Sequence, residues 1–131
     1  MKTWFALVGD YLVTPIQTGN IAELRRLLDD KLNPNAECRV YGSPLQAAAA
    51  AGRSEMVRML LDYGADVNAV GGQYGTSLIA SACTSRKAIT KLLLKKGADV
   101  FASDSVHVNA LYQAVANGDY AVVEILLEHG A

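Results

Sequence analysis

The side chains in this chain that could do chemistry are few and widely spaced. His107, His129, Cys38 and Cys83 could in principle make a thiol–histidine pair or a metal site. Their separations match no ligand set, which leaves a loop histidine, a helix-end histidine favoured by the helix dipole and two ordinary thiols. Asp66 and Asp99 have the residue type for paired acid–base work, but they hold the same slot in successive segments and read as loop-holding groups. Gly71-Gly72-Gln73-Tyr74-Gly75 invites comparison with a phosphate-cradling loop. A dinucleotide fingerprint needs a preceding strand and glycines at set offsets, and neither is present, so these are turn glycines with positive φ. Arg86, Lys87, Lys91, Lys95 and Lys96 form a basic run, offset by Asp119, Glu124 and Glu128 in the next segment, so a solvated outer face is expected. These residues assign no catalytic, cofactor-binding or metal site, and a non-enzymatic chain without a cofactor is expected.

The bulk properties narrow the class. With 131 residues, 51% of them apolar, the chain can bury a core as one domain spanning 1–131. A net charge of -1 argues against nucleic acid as a partner, since such binders cluster positive charge. The cysteines form no disulfide framework, which points to an intracellular setting, cytoplasmic or nuclear. The opening MKTWFALVGDYLV loosely resembles a signal peptide, but Asp10 interrupts the apolar run and no clean cleavage site follows, so a first helix is the better reading. No apolar run approaches the roughly 20 residues of a membrane-spanning helix, so no membrane partner is expected.

What must position any functional residue is a repeat. Gly42, Leu45, Leu60, Leu61, Gly64, Ala65 and Asp66 return 33 positions later as Gly75, Leu78, Leu93, Leu94, Gly97, Ala98 and Asp99. A further 33 reaches Leu111, Leu126, Leu127, Gly130 and Ala131, and 33 back from the reference unit reaches Gly9, Leu12, Gly19, Leu27 and Leu28. Four units follow, at about 1–37, 38–70, 71–103 and 104–131. Each reads as two short antiparallel helices and an extended loop, an all-α solenoid of helix-turn-helix units joined by β-hairpin loops.

Local signals refine the units. In the first, Trp4, Phe5, Leu7 and Val8 suit one apolar helical face. Pro15 falls inside the expected first helix, which should be kinked, shifted or split there. Asn20 can cap the second helix, over 20–30. Its Glu23 and Arg26 stand where later units have Met56 and Met59, Ile89 and Leu92, or Val122 and Ile125. That substitution is expected of a unit with a polar outer face. In the second unit Ser43 caps, Pro44 takes the first helical position, and Ala47 to Ala51 make a thin helix ended by Gly52. Glu55 to Tyr63 is its second helix, stopped by Gly64, and Asp66 and Asn68 can bond local backbone. Lys31 and Ser85 replace expected turn glycines, and Phe101 replaces the asparagine of Asn35 and Asn68. Asn109 caps the last unit's first helix, and 119–129 forms its second.

Gly-Ser-Pro-Leu-Gln-Ala-Ala at 42–48 and Leu-Leu-Asp-Tyr-Gly-Ala-Asp-Val-Asn-Ala at 60–69 resemble the ankyrin repeat signature. The wording around Tyr-Gly-Ser-Pro-Leu and Gly-Gly-Gln-Tyr-Gly is similar to ankyrin arrays of large fungal multidomain proteins of the NACHT or NLR type. The usual histidine is replaced by Gln46, Ile79 and Tyr112. The resemblance implies a protein-interaction scaffold that binds through hairpin tips and inner helices. Carried over by position, the tips are 37–40, 70–73 and 103–106, and the inner-helix positions run from Gln17 and Thr18 to Ala116 and Asn117. The partner-binding candidates are Arg39, Tyr41, Val70, Gln73, Tyr74, Asp104 and His107. Tyr41 and Tyr74 have two open readings, recognition anchors or packing at the hairpin base. The resemblance also implies that Asn35 and Asn68 occupy a position hydroxylated in some ankyrin proteins.

The chain stops at Gly130-Ala131, and no polar C-terminal cap is visible. Val123, Leu126 and Leu127 are therefore candidates for self-association, because at the other interfaces a following unit covers part of this surface. Three outcomes are expected candidates: a fragment of a longer array, which is the preferred reading, a two-fold dimer, or a head-to-tail filament. Glu23 and Arg26 argue against the last, unless Trp4 and Phe5 are exposed.

Overall fold

The computed structural model describes residues 7–131. Among them are eight helices in four antiparallel pairs: α1 (Asp10–Thr18) with α2 (Ile21–Asp29), α3 (Pro44–Ala51) with α4 (Ser54–Asp62), α5 (Ser77–Cys83) with α6 (Lys87–Lys95), and α7 (Ala110–Ala116) with α8 (Tyr120–Glu128). Among the described residues the first helices pack side by side in one row and the second helices in another, so each pair packs chiefly against its neighbours. This is the expected all-α solenoid, and its core is one continuous seam from Leu12 to Leu126.

Small side chains make the row possible. Ala47, Ala48 and Ala49 of α3, Ala80, Ser81 and Ala82 of α5, and Ala114 of α7 are all buried, so the helices approach closely. The leucines that recur at intervals of 33, Leu12, Leu45 and Leu78, are buried to 2% exposure or less. Caps fix the helix starts. The side chains of Asn20, Ser43, Thr76, Asn109 and Asp119 each accept a bond from a backbone N–H three residues on.

Between the pairs the chain makes short antiparallel hairpins. Cys38 bridges to Gly42 and Gly71 to Gly75, and in the last unit Ser103 and Asp104 pair with Asn109 and Val108. The two strands of that last ladder are β1 (Ser103–Asp104) and β2 (Val108–Asn109).

Several expectations change. The first helix is neither split nor shifted: α1 runs through Pro15 in nearly the frame of α3. Pro15 is itself buried there, so packing outweighs its lost donor. Leu7 and Val8 precede that helix in a turn, and Val8 is 57% exposed, so they do not form an inward helical face. Trp4 and Phe5 lie outside the described residues. Cys38 is not at an open tip, since it is 3% exposed. Burial pushes its thiol up to about 12, with the charges of Asp10 and Glu37 adding to the effect.

The backbone does not bend to accommodate missing glycines. Lys31 has φ 73 and Ser85 has φ 56, so both hold the left-handed turn that Gly64 and Gly52 make freely. Lys31→Gly and Ser85→Gly should therefore each stabilise the fold by about 0.5–1 kcal/mol, read as a higher urea midpoint. Gly72→Ala should lower it sharply, because a Cβ there would sit 2.2 Å from the Tyr41 carbonyl carbon.

Candidate interaction surface

Two edges of the solenoid present the candidate residues, and both are tied together by side chains that cross from one unit to the next. On the hairpin edge, Asn35 donates from Nδ2 to Gly64 O (3.0 Å), and its Oδ1 accepts from Asp66 N (2.6 Å). Asn68 repeats the arrangement one unit on, with Gly97 O at 3.2 Å and Asp99 N at 2.7 Å. Each asparagine amide thus both donates and accepts across the seam. Phe101 occupies the next slot and cannot continue the series; it is 70% exposed.

On the opposite edge, the Arg53 guanidinium reaches back to Ile16 O (3.2 Å) and Gln17 O (2.8 Å). These are carbonyls at the C-terminal end of α1, where a cation also meets the negative end of the helix dipole. Arg86 lies 3.5 Å from Ala50 O at the end of α3, and Asn117 Nδ2 is 3.2 Å from both Ala82 O and Cys83 O at the end of α5. Asn117 is therefore a brace, although its place on the inner helix made it a contact candidate.

The hairpin candidates divide by exposure. Arg39, Val70 and Gln73 stand out from the hairpins, and Val70 is 79% exposed. The backbone beneath them is fixed, because Arg39 N donates to Asp10 Oδ1 (3.0 Å) and Gln73 N to Val40 O (2.8 Å). Tyr41 is half-buried, with its hydroxyl 3.4 Å from the Gln17 amide.

Tyr74, Asp104 and His107 come together across two hairpins. The Tyr74 and His107 rings lie 5.8 Å apart at a 40° tilt, and His107 Nδ1 is 2.9 Å from Asp104 Oδ2. Asp104 Oδ1 also accepts from the backbone N–H groups of Val106 and His107. Burial alone would raise the Asp104 pKa, but these bonds outweigh it and hold the carboxyl below its usual range. Asp104 and His107 are thus occupied in shaping the third hairpin, and their side chains are only 22% and 18% exposed.

Gln46 replaces the usual histidine and donates to Gly71 O across the seam (2.7 Å), while Ile79 in the next unit is simply buried. Among the described residues, no cluster of His, Cys, Asp and Glu could hold a metal ion, and no helix is long and apolar enough to cross a membrane. The open groove on the outer side of α1 and α2, about 380 Å³, is lined by Asp10, Tyr11, Thr14 and Glu23, without a nucleophile–base pair.

Comparison with protein families decides the class. An ankyrin repeat profile matches residues 42–72, and a profile of three tandem ankyrin repeats matches residues 70–131. The chain is an ankyrin repeat protein. No curated protein matches it. Ankyrin repeats generally mediate protein–protein interaction and are generally non-catalytic.

In this ankyrin array, the forward-reaching asparagines and backward-reaching arginines escaped the sequence reading of site residues. The available signal was their recurrence: Asn35 and Asn68, and Arg53 and Arg86, are each 33 apart. Asn68→Ala should lower stability by about 1–2 kcal/mol, the range for losing two bonds between partly exposed groups. Phe101→Asn should raise it by roughly 0.5–1 kcal/mol through a bond to Gly130 O. Chemical denaturation of the two variants beside the parent checks both signs.

Proposed function

We propose that this chain is a non-catalytic protein-binding module whose recognition surface is the row of hairpin tips, centred on Arg39, Val70 and Gln73. One observation carries this reading: those side chains project from hairpins whose backbone is tied to the array, so they are exposed yet positioned. A pre-positioned tip loses little conformational entropy on binding. Tyr74, Asp104 and His107 act one step back, by holding the second and third hairpins against each other. Tyr41 can do both, since part of its ring stays accessible. The inner helices add a nearly uncharged floor of Ala50, Ala51, Cys83, Thr84 and Ala116. The partner is accordingly a protein rather than nucleic acid or membrane, and an intracellular setting in a larger NACHT-type or NLR-type protein fits the wording of the repeats.

A second reading, self-association through the C-terminal unit, is favoured by one observation. Positions buried in every earlier unit are open in the last. The slot held by Ile16, Ala49 and Ala82 is 0% exposed in all three, yet Val115 in the same slot is 57% exposed. Leu127, whose counterparts Leu28 and Leu94 are buried and Leu61 partly buried, is 53% exposed, and Val123 is partly covered. Leu126 belongs elsewhere, because it is 0% exposed in the core and cannot contribute a contact.

The first reading is checked with an Arg39→Ala/Val70→Ser/Gln73→Ala triple variant in affinity capture from extracts, followed by titration of any recovered protein. The variant should keep its helical content and melting behaviour while losing at least about tenfold in affinity, or roughly 1.4 kcal/mol. Unchanged binding by the triple variant would remove the hairpin tips from the interface.

A further inference from the structure

We infer that the exposed face of α6 is a docking stripe for an acidic, extended segment of a partner protein. The inference is independent of the hairpin tips and of the apolar side chains of the last unit. It rests on how the second helices of the four units carry their charges.

The first two units neutralise themselves. In α2, Arg25 stands four residues before Asp29, and in α4, Arg58 stands four residues before Asp62, so cation and anion share one exposed stripe. In the same two slots α6 has Lys91 and Lys95, and Lys87 extends the stripe by one turn. In α8 those slots hold Glu124 and Glu128. Charges paired within one helix earlier in the array are thus divided between two neighbouring helices.

The division does not close into ion pairs. Lys87, Lys91, Glu124 and Glu128 line one open groove of about 260 Å³ between α6 and α8, together with Ala121 and Ile125. Among the described residues the ion pairs are Glu23–Arg26, Arg26–Asp30 and Asp104–His107. No carboxylate therefore lies within 4.0 Å of Lys87, Lys91, Lys95 or Lys96. The helix beneath the lysines is firmly seated, since Ile89, Thr90, Leu93 and Leu94 are all buried.

The spacing of the stripe selects its ligand. Lys87, Lys91 and Lys95 recur every four residues, about 6 Å apart along the axis. Alternate side chains of an extended chain lie about 6.6 Å apart, so an acid at every second position meets the lysines one for one. An extended chain also fits within the width of one helix. A broader anion, such as a nucleic-acid duplex or a charged membrane plane, would also meet Glu124 and Glu128, whose like charge opposes it.

Fluorescence anisotropy of a labelled peptide of alternating aspartate and alanine, at about 0.15 M ionic strength, tests this. The parent should bind that peptide and should not bind one with asparagine in place of aspartate. Lys91→Glu/Lys95→Glu should weaken binding at least about tenfold, with helical content and melting unchanged because both side chains are exposed. Glu124→Gln/Glu128→Gln should tighten it by roughly threefold, since the flanking like charge is gone. The triple hairpin variant should bind the peptide as the parent does, so the two surfaces fail separately. No binding of the aspartate peptide overturns the inference, as does binding that Lys91→Glu/Lys95→Glu leaves intact. Phosphatidylserine vesicles or a DNA duplex binding more tightly than the peptide would overturn the choice of an acidic protein segment. Equal binding by the parent and Glu124→Gln/Glu128→Gln would overturn the confining role of α8.

Discussion

Everything in this molecule depends on helix pairs lying flank to flank, because no single pair can cover its own apolar side chains. A unit of about 33 residues buries too little surface to stand alone, and a repeat protein gains most of its stability at the contacts between units. Here the contact is set by alanine and serine. Helices α3 and α5 pack side by side, and Ala47, Ala48 and Ala49 of the first and Ala80, Ser81 and Ala82 of the second are all buried. Larger side chains at these points would force the rows apart, at a cost typical of overpacked cores, about 1–3 kcal/mol.

Polar braces grade that contact along the array. The first seam carries Asn35 on the hairpin edge and Arg53 on the other, each making two bonds. The second carries Asn68 and a longer Arg86 contact. At the third, Phe101 and Asp119 occupy the two slots, Asn117 reaches back to Ala82 and Cys83, and the His107 ring meets Tyr74. The third pair of helices also differs inside: Ser81 and Thr90, 2.9 Å apart, form a buried polar link where the second unit has Ala48 and Val57. The array is thus most heavily cross-tied at its start. The last unit combines the weakest bracing with the most exposed apolar face.

Much of this was legible in the residues. The leucine spacing, the caps at Asn20, Ser43 and Asn109, and the stops at Gly52 and Gly64 follow local rules that need no tertiary context. Pro15 was misread for the opposite reason: local rules forbid it in mid-helix, and the packing of α1 against α3 overrides them. The roles of Asp104 and His107 were hidden because a hairpin residue that props its neighbour and one that meets a partner look alike in sequence. Val108 holds the slot of Gly42 and Gly75, and only its backbone angle shows that it keeps their positive φ.

If the seams between units hold the molecule together, amide hydrogen exchange in dilute, monomeric solution should be slowest in α3 to α6, whose pairs are covered on both sides. Protection should fall toward α1 and α2 at one end, and further in α7 and α8 at the other, where bracing is weakest. Uniform protection across all four pairs, or slowest exchange in α7 and α8, would contradict an array stabilised chiefly by its neighbours.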